Sequence, residues 1–385
     1  MRIALDVRIA QFPPYSYRGF GYVTKNLTKI LLEKYRDRYE FYLLGYNGLD
    51  YDLGLPNNYK KLIYFPLVKG KSLFRFYKHI QFIEKRLVKK MLEKNKVDIL
   101  LTFSTGDSDI RIPIGNYKII MIFHDMIPWI FKNEYLKTEK SKKKYFTYLK
   151  NFRKADKIFT VSESSKNDLI STINLSKNKV FVAYNGTNYS QSKVSYNKNN
   201  IKKYDIKGKY ILHIGGYDFR KNVKRIIEAY NKLDFKIKSA YKLVLAGNIP
   251  LFVKKELDLL VDRLKLNNNI VFTGFLDDND LPSLYYHASI FVFPSLYEGF
   301  GLPIIDAMKY NCPIITSNNS SLSEIAQDVS ILVNPLKTNE ISDAIEKILT
   351  NNVFKNNIIK KASERVKIFT WENAALETIK IFNKL

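Results

Sequence analysis

The run IFVFPSLYEGFGLPIID, residues 290–306, decides the fold. Its first four residues are apolar and read as a short buried strand, Glu298-Gly299-Phe300-Gly301 reads as a tight turn, and a helix is expected from Pro303, a residue suited to a first helical turn. In open α/β sheets such a strand end is where ligands collect. Glycines let the backbone approach a ligand closely, and the unpaired N–H groups of a helix start favour an anion. An acid stands toward each end of the segment, Glu298 and Asp306. Together these features point to a polyhydroxylated ligand carrying phosphate.

The alternation continues in both directions. Strands are expected at 210–214, 242–246, 270–273, 314–316 and 331–333, and amphipathic helices at 341–349, 358–368 and 371–385, the last with Thr370 as its N-cap. HIGGYDFRKN, residues 213–222, follows the first of these strands and opens a helix over 223–233. Gly215 and Gly216 permit a tight turn, and Arg220 and Lys221 set two cations beside a helix start, either as a diphosphate cradle or as a solvated pair. Toward the N-terminus, strands are expected at 2–7, 41–44, 99–102, 119–124, 157–161 and 180–183. The first leads into a glycine-containing loop, SYRGFG at 16–21, and then into helical spacing at Val23, Leu27, Ile30 and Leu31. Gly19-x-Gly21 is too short for a dinucleotide fingerprint and no phosphate-loop motif occurs, so neither a nicotinamide dinucleotide nor a P-loop nucleotide site is supported. His124-Asp125 directly follows the IIMIF strand, where a histidine serves either structure or function. Between 185 and 209 the apolar pattern fails, which marks a linker or exposed loop. The chain thus reads as two similar α/β lobes, each a mainly parallel sheet covered on both faces, with the cleft between them as the default binding site.

Length and composition agree. The 385 residues leave room for two domains, and 46% hydrophobic with 14% aromatic residues argues against disorder. Met1-Arg2 leads straight into IALDV, unlike a signal peptide, and no run approaches the roughly 20 apolar residues of a bilayer span; a cytoplasmic protein is expected. Cys312 is the single cysteine, which excludes an internal disulfide and a cysteine metal cluster. Sixty-three Lys and Arg against 37 Asp and Glu give a net charge of +26, so an anionic partner is expected: nucleic acid, an acidic membrane surface or a phosphorylated substrate. Two stretches with helical spacing are basic and aromatic, 74–92 (Arg75, Lys78, Lys85, Arg86, Lys89, Lys90) and 137–154 (with Lys142-Lys143-Lys144), and read as solvated faces or as surfaces resting on anionic headgroups. No basic recognition helix or stacking motif supports nucleic acid. Asp278-x-Asp280 reads as a turn ending in a helix N-cap and Asp107-x-Asp109 as a polar loop, so no metal site is expected from either.

GGYDFRKN, VFTGFLDDNDLPSLYYHASIFVFPSLYEGFGLPIIDAM and FTWENAALETI resemble, in order and spacing, the retaining nucleotide-sugar glycosyltransferases of family 4 (glycosyl transferases group 1). The likeness extends more loosely through RGFGYVTKNL, FHDMIP and FTVSESSKNDLI. It implies the GT-B fold: two Rossmann-like doubly wound lobes facing a cleft, an acceptor-side domain at 1–200, a nucleotide-sugar domain at 201–368, and a helix at 369–385 that crosses back to the first. By the same resemblance, Arg220 and Lys221 neutralise the donor diphosphate, and Glu298 lies against the sugar with the amides of Phe300, Gly301 and Leu302 near it. His124 sits by the reacting carbon, while the Gly19–Gly21 loop closes over the phosphates and Gly215 lies beside them. The family signature has two glutamates separated by seven residues, and here the second is Asp306, one methylene shorter, toward the nucleotide; an acid answering the helix dipole is the structural alternative there.

The resemblance further implies no cofactor and no metal, with same-face attack in which the departing phosphate helps take the acceptor proton. HDMIP and RKN look most like mannosyltransferase members in surface polysaccharide or lipopolysaccharide assembly, which suggests GDP-mannose, then UDP-sugars, as donor. The acceptor is then a glycan or lipid-linked glycan, at the cytoplasmic face of a membrane. A sugar-phosphate synthase or phosphorylase of the same fold and a non-catalytic nucleotide-sugar binder are the competing readings.

Overall fold

The computed structural model describes residues 1–11, 19–46, 55, 59–64, 77–103, 112–187 and 196–385. Asp107 and Asp109, the loop residues 16–18, Arg75 and the polar run 188–195 fall outside the described residues, as does the side chain of Lys78.

The first sheet has seven parallel strands: β1 (Arg2–Asp6), β2 (Glu40–Tyr46), β3 (Lys60–Tyr64), β4 (Ile99–Thr102), β5 (Lys118–Phe123), β6 (Lys157–Thr160) and β7 (Val180–Val182). Their order, β3-β2-β1-β4-β5-β6-β7, reverses direction at β1, the doubly wound pattern. Side-chain alternation splits β1 between two cores: Ile3 and Leu5 pack with Val23, Leu27 and Leu31, while Ala4 packs on the opposite face with Leu44, Val88 and Leu92. Both faces are covered, so the strands read as nearly unbroken apolar runs. The strand at Lys60–Tyr64 has no counterpart in the sequence reading, because KKLIY carries two lysines at its start and only a short apolar signal.

A second sheet of six parallel strands, β8 (Lys209–Ile214), β9 (Tyr241–Ala246), β10 (Ile270–Phe272), β11 (Ile290–Phe293), β12 (Ile314–Ser317) and β13 (Ile331–Val333), runs in the order β10-β9-β8-β11-β12-β13. It repeats the winding of the first, with β8 at the reversal beside β11. Ile211, Leu243, Leu245, Ile290, Val292 and Ile315 line one face and are buried, each contributing about 1.5–3 kcal/mol by leaving water.

The chain divides into two compact units, Met1–Gly186 with Trp371–Leu385, and Thr187–Thr370. The first boundary falls earlier than the 200 expected, because residues 196–204 are fastened to the second unit. Tyr196 stacks on Tyr286 at 4.2 Å, Ile201 is buried, and the Tyr204 hydroxyl donates to Asp280 at 2.6 Å. The C-terminal helix, Trp371–Phe382, belongs to the first unit. Its buried residues Trp371, Ala374, Ala375, Thr378, Ile379 and Phe382 recur at helical spacing, and most of them enter the Ile3–Leu5 core. The Tyr39 hydroxyl donates to Asn383 at 2.6 Å and anchors its end.

Candidate active site

In the second unit the carboxyl ends of β8 and β11, neighbours in the sheet, bring 213–222 and 294–306 together. Beyond β8, Asp218 caps a short 3-10 turn, Phe219–Lys221, by accepting from the Arg220 amide at 3.1 Å. Asn222 then takes a left-handed conformation (φ 65°) and starts the Val223–Lys232 helix. Its side-chain amide donates to the carbonyls of Pro294 and Pro335 at 3.0 and 2.6 Å, and the Leu296 amide donates to the Arg220 carbonyl at 2.7 Å. Those bonds stitch the two loops edge to edge.

Glu298 is the result of that stitching. Its carboxylate, 8% exposed, accepts from Lys221 Nζ at 2.6 Å on one oxygen and pairs with Arg220 at 2.8 Å on the other. Burial by itself raises a carboxyl pKa, but the charges of Lys221 and Arg220 outweigh it and hold Glu298 down at about 2. Burial also draws the Lys221 ammonium below its usual range while Glu298 pulls it the other way. With its pKa held that low, the Glu298 carboxyl is ionised at neutral pH. The Lys221 ammonium further lies 4.7 Å over the Phe293 ring.

Two serines that open the Ser320–Ala326 helix after β12 secure the turn. Ser320 Oγ accepts from the Glu298 amide at 3.2 Å, and Ser321 Oγ donates to the carbonyls of Glu298 and Phe300 at 2.9 and 2.8 Å. Gly301 has φ 108°, and a Cβ there would meet Leu322 at 2.9 Å, so the turn requires glycine. The following helix is Leu302–Lys309, one residue earlier than expected, with Pro303 in its first turn. Asp306 therefore lies in the second turn, not the first. The dipole argument weakens accordingly, and the side chain has other company: Thr187 Oγ1 at 3.2 Å, with Lys309 one turn along. Burial pushes Asp306 up to about 6, against the opposing pull of Lys309 and Thr187.

The glycine requirement of the 213–222 loop sits elsewhere than expected. Gly215 and Gly216 have ordinary backbone angles, and a Cβ on Gly216 would meet open space. Gly247, after β9, is the constrained residue: φ is 136° and a Cβ would fall 2.5 Å from the Gly215 carbonyl oxygen. Asp280 does not cap its helix through its side chain, because Tyr204 and Lys203 occupy it at 2.6 and 2.7 Å.

In the first unit, Gly19 and Gly21 lie in the opening turn of the Gly19–Lys34 helix, not in the loop expected there. This places Phe20 edge-on to His124 at 4.4 Å. His124 sits just past β5, 8% exposed, with its carbonyl accepting from Ser165 Oγ at 2.8 Å. Burial depresses the imidazole to about 3, so it is neutral at pH 7. Asp125 accepts from the Ile127 amide at 3.0 Å and turns the chain into the next helix.

Sequence reading singled out neither Thr187, Ser320, Ser321 nor His213. His213 is fully buried, Nδ1 lies 2.9 Å from the Val292 carbonyl, and burial lowers its pKa to about 4. A buried network of Arg8 with Asp6 at 2.6 Å, and of Glu84 with the Tyr46 hydroxyl at 2.7 Å, is likewise marked by no motif. Among the described residues, no group of three or more His, Cys, Asp or Glu is placed to hold a metal ion.

Residues 25–191 match the family model for Glycosyltransferase Family 4, and residues 197–365 that for Glycosyl transferases group 1. The chain belongs to the family 4 glycosyltransferases and has their GT-B fold. It is 28% identical over 409 residues to the serotype-specific mannosyltransferase WbdA of Escherichia coli, covering 100% of this chain and 48% of that protein. It is 31% identical over 234 residues to O-antigen chain mannosyltransferase B of Escherichia coli, covering 59% of this chain and 60% of that one. The chain thus spans about half the length of WbdA. In fold it is similar to sucrose-phosphate synthase from Thermosynechococcus elongatus, with a TM-score of 0.74 at 19% identity over 100% of this chain and 98% of that one.

Proposed function

We propose that this chain is a retaining glycosyltransferase that moves mannose from GDP-mannose to a glycan or lipid-linked glycan acceptor of a surface polysaccharide. The observation that carries the reading is the buried Lys221–Glu298–Arg220 cluster at the carboxyl edge of the second sheet. Two cations are held there by the Glu298 carboxylate between them, with Asp218 3.6 Å from Arg220, and the arrival of a diphosphate gives them a stronger anion. Glu298 is then released toward the hydroxyls of the donor sugar. As the bond from the anomeric carbon to the diphosphate oxygen breaks, the electron pair stays on that oxygen, and Arg220 and Lys221 stabilise the charge. The acceptor hydroxyl attacks from the same face and passes its proton to the departing phosphate oxygen. His124, neutral, contributes a hydrogen bond beside the reacting carbon instead of a charge. Asp306 addresses the ribose hydroxyls, and no metal or cofactor is assigned a step.

Mannose is chosen because both mannosyltransferase relatives above carry it in their names. The test is a panel of nucleotide sugars scored by thermal stabilisation and by donor hydrolysis, since a bound donor raises stability by mass action. GDP-mannose is expected to stabilise most, and Arg220→Ala and Glu298→Ala to abolish turnover. Stabilisation by a UDP-sugar instead overturns the donor, and undiminished turnover in both variants overturns the site.

A further inference from the structure

His213 holds a buried atom that the transfer chemistry leaves unused. The β8–β11 ladder pairs Ile211 with Ile290 and Leu212 with Phe291. At the next position the His213 side chain takes over, with Nδ1 2.9 Å from the Val292 carbonyl. A carbonyl only accepts, so Nδ1 carries the proton and Nε2 is left as a lone-pair acceptor. The residue is 0% exposed, and among the described residues nothing donates to Nε2. An apolar side chain would fill this core position with no unpaired acceptor, so the histidine costs stability in this state.

Nε2 faces the Lys221 side of the site. A Cβ on Gly215 would lie 3.6 Å from His213 Nε2, 3.6 Å from Lys221 Cδ and 3.8 Å from Lys221 Cε. The ring edge and the end of the lysine stem therefore border one space, which the bare glycine keeps clear; its backbone angles do not by themselves require glycine. The imidazole stacks on Phe293 with centroids 5.8 Å apart, and the Lys221 ammonium lies 4.7 Å over that same ring. An ammonium has three N–H groups, and the 2.6 Å bond to Glu298 uses one.

We propose that His213 is a positioning residue for the transfer: its Nε2 accepts a hydrogen bond from the Lys221 ammonium once a diphosphate draws Lys221 away from Glu298. This rests on the nucleotide-sugar reading above and deepens it. A lysine stem is flexible, so an ammonium released by Glu298 needs a second anchor to keep its charge on the leaving oxygen. A neutral imidazole anchors it without cancelling that charge, whereas a carboxylate at 213 would compete with the phosphate.

Nitrogen NMR on the full chain, isotope-labelled at its histidines, reads the handover without any nucleotide. The peak missing from His213→Gln assigns the Nε2 resonance. In Glu298→Ala, where Lys221 has lost that carboxylate, the resonance is expected to move upfield, as an imidazole nitrogen does on accepting a hydrogen bond. Saturating inorganic pyrophosphate on the parent chain should move it the same way with no substitution. Titration calorimetry with GDP and with UDP gives the second readout. The amide nitrogen of Asn can stand in for Nδ1 and the amide oxygen of Gln for Nε2. His213→Asn therefore keeps the bond to Val292 and loses the acceptor, while His213→Gln keeps the acceptor. Nucleoside diphosphate affinity is expected to fall about tenfold in His213→Asn and to stay within about twofold of the parent in His213→Gln. A merely structural histidine would favour Asn over Gln or treat both alike. A resonance unmoved by both Glu298→Ala and pyrophosphate, or equal affinity loss in the two variants, overturns the proposal. A parent chain that binds neither GDP nor UDP overturns the nucleotide-sugar reading instead, and the resonance in Glu298→Ala still decides the role of His213.

Discussion

Asp306 and Thr187 show how much a single hydroxyl contributes. A carboxyl raised from 3.8 to about 6 makes the folded state favour the protonated form. The stability it contributes is therefore fully present below pH 3.8 and is lost as pH rises through about 6. Asp306→Asn is expected to flatten that window in thermal melts recorded between pH 4 and 7, a difference of no more than about 3 kcal/mol. The ribose role proposed for Asp306 needs the carboxylate, so donor KM should climb as pH falls through about 6. Thr187→Val removes the hydrogen bond that opposes the shift, worth about 1 kcal/mol. Its acid limb should move to higher pH and its KM rise about fivefold with kcat unchanged; an unmoved limb would show that Thr187 only fills space. Glu298 behaves oppositely. Its pKa is depressed to about 2, so the Lys221 and Arg220 pair is present at neutral pH and is lost only as pH falls through that value. Glu298→Ala breaks the buried pair on both sides, Arg220 keeping only the longer contact to Asp218 at 3.6 Å among those described, which costs about 3–5 kcal/mol. GDP should recover more of that stability in the variant than in the parent chain, as read by melting temperature.

At the scale of elements, strands were the most legible feature. The apolar runs of β4, β11 and β13 end where the residue pattern says they end. Helix starts were less legible, because capping depends on where side chains find partners. Asp280 has the right residue type and spacing for a cap, yet Tyr204 and Lys203, more than 70 residues earlier in the chain, claim its carboxylate. Glycines divide in the same way. Gly301 is readable from its place between a strand and a helix, whereas the constraint on Gly247 comes from the Gly215 carbonyl on the neighbouring strand end. Gly247→Ala should displace the 215–221 loop and cost about 1–3 kcal/mol, with a weakened response to GDP in thermal shift. Gly216→Ala, pointing into open space, should leave both measurements unchanged.

For the whole molecule, the C-terminal helix closes a core begun by the first strand. Trp371, 2% exposed, packs in the cluster that contains Ile3 and Leu5, and Tyr22 meets its ring edge-on at 5.7 Å. Trp371→Ala should therefore destabilise the first unit by about 3–5 kcal/mol while sparing the second. Calorimetry should show this as one transition moved and one retained. Matched loss in both units would mean that they unfold as one.

Two sheets, their parallel sense and the strand–glycine–helix segment at 290–306 were determined by sequence alone, because apolar runs and turn residues act over a few neighbours. The cationic pair and Glu298 were each legible as residues. That Lys221 and Arg220 grip the two oxygens of one buried carboxylate was decided only by the tertiary structure, since the pairing of β8 with β11 closes a gap of 77 residues. The partner of Asp306 was decided in the same way: nothing within a helical turn of that aspartate encodes a hydroxyl 119 residues away.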